Sequence, residues 1–219
     1  MKGEDRMGRR KKEPESTHRE NIAMAAERLF MRGGIEATTM NDIAKEAGYS
    51  KATLYVYFAD KEEIVSFLVL KSMKMLYSHI SEAVEGKATA KEKYRKICRA
   101  LVNYQEQYPL YFALALGEIN VELGRENELP LEKETFETGE QINHKLEEFM
   151  CAGIKAGEIQ PDIPVLQTAF LFWAALAGLI QMSVNKQAYL EKAMNVSRQQ
   201  FLEDGFERLY RLISTEENK

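Results

Sequence analysis

Side chains able to do chemistry are sparse in this sequence, and their spacing favours recognition over catalysis. The three histidines, His18, His79 and His144, fall on separate segments, with no nucleophile and base motif and no glycine-rich phosphate loop beside them. Glu140, His144 and Glu147 stand at i, i+4 and i+7, the makings of a divalent-metal site on one helical face. A solvated, salt-bridged face has the same spacing and is the commoner case, so no metal ligand, cofactor or catalytic residue is assigned and no enzyme is expected. Cys98 and Cys151 match no metal or redox spacing and read as free buried thiols.

The segment that does carry chemistry runs from Lys51 to Phe58. Leu54 and Phe58 are spaced to face a core, which leaves Lys51, Ala52, Thr53, Tyr55 and Tyr57 near the opposite surface of a short helix. Lys51 can donate to the acceptor edge of guanine, Ala52 is small enough to approach a thymine methyl, and Tyr55 can do either. Either tyrosine can instead pack sideways against the first helix. Thr39, Ser50 and Lys61 sit at helix starts suited to an anion, although the first two can equally be plain caps.

Helical elements must position these groups, because long stretches are rich in Ala, Leu, Glu, Lys and Met and only 5 prolines interrupt them. Residues 1–16 hold Arg9, Arg10, Lys11 and Lys12 without apolar periodicity and read as a basic flexible arm. Thr17 and Glu20 have capping-box spacing, followed by Ile22, Ala26, Leu29 and Phe30 on one face until Gly33 and Gly34. Thr39 caps a second helix that ends at Gly48, Ser50 caps the third, and Asp60 with Glu63 caps a long fourth reaching about residue 84. Further helices are predicted over 89–108, 109 to about 124, 131–156, 165–185 and 191–213, with a loop over 157–164. Two short helices joined by Ala47-Gly48-Tyr49 match the helix-turn-helix arrangement, whose second helix enters the major groove.

The stretch TMNDIAKEAGYSKATLYVYFADKEEI, Thr39 to Ile64, closely resembles the DNA-binding signature of the TetR repressor family. With the pattern of helix one, the resemblance covers about the first 65 residues; beyond them only helix number, helix lengths and the composition of the last two helices are similar. It implies an all-α fold of about nine helices, with a three-helix helix-turn-helix DNA-binding domain over 17–61 and a helical effector-binding and dimerisation domain over 62–219. It also implies a homodimer joined mainly through the last two helices. Thr39, Ser50, Thr53, Tyr57 and Lys61 match family positions that commonly contact phosphates. A two-fold dimer would read double-stranded operator DNA as an inverted repeat.

The second domain offers Met73, Tyr77, Tyr104, Phe112, Phe136, Phe170 and Trp173 along helices four to eight, with polar Asn143 and His144 among them. Most must be core, yet the set can line an apolar pocket with a few orienting polar groups for a small-molecule effector. The predicted helix over 165–185 is apolar around its circumference, and Ala174 and Gly178 place small residues one turn apart. With Phe201, Leu202, Phe206, Leu209 and Ile213 on the last helix, this suits a four-helix dimer interface, although a monomer core has the same pattern.

Charge agrees in its distribution rather than its sum. The formal net charge is -4, but residues 1–61 hold 12 Lys or Arg against 10 Asp or Glu, while the remainder holds 18 against 24. The apolar run 169–180 is short of the roughly 20 residues a membrane span requires, so a buried helix and no membrane partner are expected. The first apolar segment, 22–30, is broken by Glu27 and Arg28, which does not read as a signal peptide and points to the cytoplasm. The reading that fits best is a transcriptional regulator, a repressor released from its operator by an apolar or amphipathic effector. An effector-independent regulator or architectural protein competes if the second domain is solid. A helical enzyme or lipid carrier would make the helix-turn-helix resemblance accidental.

Overall fold

The computed structural model describes residues 14–117 and 130–215, and among these all regular structure is helical, in ten α-helices. The basic cluster at 9–12 lies outside the described residues. The chain divides into two compact units, Met1–Leu68 and Val69–Lys219.

In the first unit, α1 (Glu15–Gly33) packs on α2 (Met40–Ala47) and α3 (Lys51–Tyr57), and α4 (Lys61–Val84) begins. Thr17 does not cap α1. The helix starts two residues earlier behind Pro14, whose φ of -58° presets the chain, and the Thr17 amide already donates to the Pro14 carbonyl at 3.0 Å. The other expected signals hold. Gly34 ends α1 at φ 84° and Gly48 ends α2 at φ 74°, left-handed backbone that a side chain disfavours. Ile22, Ile43, Leu54, Ile64 and Leu68 are completely buried between these helices, each contributing about 1.5 to 3 kcal/mol of hydrophobic stabilisation.

The second unit holds the rest of α4 together with α5 (Ala90–Gln107), α6 (Pro109–Leu114), α7 (Pro130–Lys155), α8 (Val165–Asn185), α9 (Gln187–Ala193) and α10 (Arg198–Arg211). A capping box between Thr89 and Glu92 starts α5. α6 ends at Leu114 rather than near 124, and the remainder of that expectation from 118 onward lies outside the described residues. The single last helix expected over 191–213 is two. Asn195 takes φ 53°, a left-handed conformation asparagine tolerates, and Ser197 then caps a new helix by accepting from the Gln200 amide at 3.1 Å.

α8 packs against α5, α7 and α10, and Gly205 lets α10 come close, since a Cβ there would sit 2.5 Å from a terminal methyl of Leu179. At 21 residues α8 is long and apolar enough to cross a membrane by length and composition, more than the shorter apolar run suggested. It is not a uniformly buried helix. Ala169, Phe172, Leu176 and Ile180 are buried, whereas Leu166, Phe170, Leu171 and Met182 are exposed. Cys98 is buried as expected, but Cys151 is exposed on the outer side of α7.

Candidate functional site

The turn between α2 and α3 is built from its caps. The Thr39 hydroxyl oxygen accepts from the Asp42 amide at 3.2 Å, and the Asp42 carboxylate accepts from the Thr39 hydroxyl at 2.6 Å and from the Thr39 amide at 3.1 Å, which together, the hydroxyl foremost, hold the Asp42 carboxyl below its usual range. The Ser50 hydroxyl oxygen accepts from the Thr53 amide at 3.0 Å and pairs with the Thr53 hydroxyl at 2.7 Å. Glu46 of α2 reaches Arg28 and Arg32 of α1 at 2.9 and 3.0 Å; the Arg28 hydrogen bond is the main cause of its lowered carboxyl pKa.

With Leu54 and Phe58 buried, Lys51, Ala52 and Tyr55 are exposed on α3 and Thr53 is half-buried, as the spacing indicated. Tyr57 behaves differently. Its ring stacks on His18 of α1 with centroids 5.0 Å apart, and His18 is itself held by a 2.7 Å hydrogen bond to the Tyr49 hydroxyl. This is the sideways packing foreseen as the alternative. Lys61 is half-buried, and its ammonium donates to the Ile35 carbonyl at 2.9 Å, tying the start of α4 to the turn before α2.

In the second unit a cavity of about 230 Å³ lies among Met73, Leu76 and Ile80 of α4, Phe136 and Asn143 of α7, and Phe170 and Trp173 of α8. Its walls are mainly apolar, with the Asn143 and Glu140 side chains as polar groups. Met73, Phe136, Phe170, Trp173 and Asn143 were expected there; four other candidates are placed elsewhere. Tyr104 is fully buried and donates to the Ser72 carbonyl at 3.0 Å, and Phe112 is fully buried against its ring. Tyr77 is half-buried outside the cavity wall. His144 faces solvent and meets Glu148 at 3.2 Å. Among the described residues no group of three metal-ligating side chains forms, so the Glu140, His144 and Glu147 face does not converge on an ion.

On the outer side of α8, Leu171, Ala174, Gly178 and Met182 recur at helical spacing, all exposed. Leu209 of α10 is half-buried and Leu212 is 63% exposed. Phe206 of α10 is half-buried, and its backbone carbonyl accepts from the Tyr94 hydroxyl of α5 at 3.0 Å.

Residues 22–66 match the bacterial regulatory proteins of the tetR family. Residues 22–66 thus hold a helix-turn-helix DNA-binding region of the TetR type, and the chain is a transcriptional regulator. It is 28% identical over 192 residues to the fatty acid metabolism regulator protein of Bacillus subtilis (strain 168), covering 84% of this chain and 93% of that protein. The regulator TtgR of Pseudomonas putida is 39% identical over 80 residues, 36% of this chain and 38% of TtgR. Among solved structures, FadR of Bacillus subtilis in complex with stearoyl-CoA aligns with a TM-score of 0.65 at 21% identity, covering 87% of this chain and 97% of that one.

Two features of this regulator were not expected from the sequence. Arg19 of α1 donates to the Tyr57 carbonyl at 2.5 Å and to Glu63 at 2.9 Å, with its guanidinium 4.1 Å from the Phe58 ring centroid. One arginine in a charged helix carries no local signal of contacts 38 to 44 residues away. The other is Val56, which is 74% exposed on α3. Its signal was available, since it is out of phase with Leu54 and Phe58, but an apolar residue reads as core by default.

Proposed function

We propose that this regulator is a homodimeric repressor that leaves an inverted-repeat operator in the cytoplasm when an apolar or amphipathic effector fills the cavity among α4, α7 and α8. On α3, Lys51, Ala52 and Tyr55 read base edges, while Thr39, Ser50, Thr53, Tyr57 and Lys61 set position against phosphates. The domains are the DNA-binding residues 17–61 and the effector-binding and dimerisation residues 62–219. The outer faces of α8 and α10, around Ala174, Gly178 and Leu209, join the two protomers. Phe206 of α10 belongs to the same proposed interface.

The single observation that carries the ligand response is the cavity itself, three of whose wall residues, Met73, Leu76 and Ile80, belong to α4. α4 is one continuous helix that starts directly after α3, so it is the covalent route by which a filled cavity biases the DNA-binding unit. The ligand acts only through its preference for the state that does not bind DNA, and a coupling of about 1 to 3 kcal/mol corresponds to a 5- to 150-fold loss of affinity. A solid second domain would have favoured an effector-independent regulator.

A fatty-acyl chain is the effector class this reading favours. The cavity wall is of matching character, a similar Bacillus subtilis regulator is named for fatty acid metabolism, and a similar solved structure holds stearoyl-CoA. At about 230 Å³ the cavity is below the roughly 300 to 1,000 Å³ of ordinary ligand pockets, so a long chain requires its walls to give. Trp173, the one tryptophan of the sequence, is in that wall and reports occupancy by its fluorescence. Titration with fatty acids and acyl-CoA thioesters should change that fluorescence, and more weakly with saturating operator present. Unchanged fluorescence across all chain lengths would overturn the acyl class, and equal affinities with and without operator would overturn release by the ligand.

A further inference from the structure

The polar reading capacity of α3 is smaller than its composition suggests. The Thr53 hydroxyl is turned back onto Ser50 at 2.7 Å, and the Tyr57 ring is stacked on His18. Leu54 is completely buried. What α3 presents outward is Lys51, Ala52, Tyr55 and Val56, and among the described residues Val56 is the most exposed of the large apolar side chains at 74%. Ala52 and Val56 stand at i and i+4, so their methyl groups form an apolar stripe one helical turn long. At 74% exposure the Val56 side chain contributes little to the packing of the first unit. Valine also loses side-chain freedom in a helix, where Ala has none to lose and Lys loses little.

We propose that Val56 is a specificity-determining residue that reads the C5-methyl group of a thymine in each operator half-site. Among the bases of unmodified DNA only thymine carries an apolar group in the major groove, so a solvent-facing isopropyl group on the recognition helix has one complementary base edge. Docking hides both apolar groups from water, whereas any other base would leave Val56 against a polar edge or a gap. The inference rests on the reading of α3 as the recognition helix and adds a second apolar contact to the one assigned to Ala52.

The test uses the full-length protein and an operator selected from random duplexes. Each thymine of one half-site is replaced in turn by uracil, which removes the methyl group and leaves the pairing intact. Wild-type protein should lose about three- to fivefold in affinity at the position facing Val56, the loss expected for one buried methyl group. Val56→Ala should bind thymine and uracil equally there while keeping any uracil penalty elsewhere. Val56→Thr, which keeps the branched shape but exchanges one methyl for a hydroxyl, should show a reduced penalty at the same position. Uracil tolerated at every position by the wild type, or a penalty pattern unchanged in both variants, would overturn the proposal. So would a Val56→Ala loss equal for all sequences, which marks a packing role. If Lys51→Ala relaxes its own position while the Val56 variants change nothing, the recognition-helix reading stands and this inference alone fails; a wild type that selects no sequence defeats both.

Discussion

Arg19 on α1 donates to the carbonyl oxygen of Tyr57, 2.5 Å away, at the last residue of α3. The same guanidinium pairs with Glu63 in the first turn of α4, so one planar cation fixes the end of the recognition helix and the start of the next. Lysine lacks the fork needed to reach both partners. Arg19→Lys should therefore lower unfolding stability by roughly 1 to 3 kcal/mol and weaken operator binding, with Arg19→Gln worse. Urea unfolding and operator titration with wild-type values for Arg19→Lys would remove this role.

Lys51 and Lys61 should separate cleanly. Lys61→Ala strips the Ile35 carbonyl of its donor, so it should cost about 0.5 to 1.5 kcal/mol of stability as well as weakening all DNA sequences alike. Lys51→Ala should leave stability unchanged and relax one base preference by about 1 to 3 kcal/mol. Binding curves across salt distinguish them, because only the loss of a phosphate contact reduces the salt slope. Equal weakening of every operator variant by Lys51→Ala would refute its base-reading role.

Gly178 sits on the outer face of α8 with nothing within 4 Å of where its Cβ would be, so Gly178→Glu should fold normally within one protomer. Glutamate is also the better helix former. A charge at that point should nonetheless dissociate the proposed dimer, since in that interface it would be buried without a partner. Sedimentation at micromolar concentration that shows an intact Gly178→Glu dimer would displace the interface from this face.

Acid should loosen the first unit partly through Asp42. Its carboxyl is held below the ordinary value of 3.8 by the Thr39 hydrogen bonds, so the folded state favours the ionised form. The resulting stability is present above that value and is lost as pH falls through the lowered folded value. Asp42→Asn should then show a shallower dependence of unfolding stability on pH below about 4. Identical acid slopes in the two proteins would mean that the capping box contributes nothing ionic.

Thiol chemistry should distinguish the two cysteines. Burial pushes the Cys98 thiol up to about 12, whereas Cys151 is exposed. In the native protein an alkylating reagent at neutral pH should modify Cys151 and spare Cys98, and Cys151→Ser should be inert. Rapid labelling of that variant would show that α5 and α10 open readily.

Local sequence alone determined the caps at Thr39, Ser50 and Thr89, the left-handed stops at Gly34 and Gly48, and the inward phase of Leu54 and Phe58. Each depends on residues within about one helical turn, so spacing suffices. Even there Thr17 gave way to Pro14, and the final helix broke at Asn195 in left-handed backbone. Tertiary structure decided which aromatic side chains border space and which fill it. Phe170 and Trp173 line the cavity while Tyr104 and Phe112, chemically alike, are packed solid. It also turned Tyr57 onto His18, gave Lys61 a carbonyl partner and brought Arg19 to the end of α3. Those outcomes depend on how helices distant in sequence meet, and on the satisfaction of polar groups that only the assembled unit brings within reach.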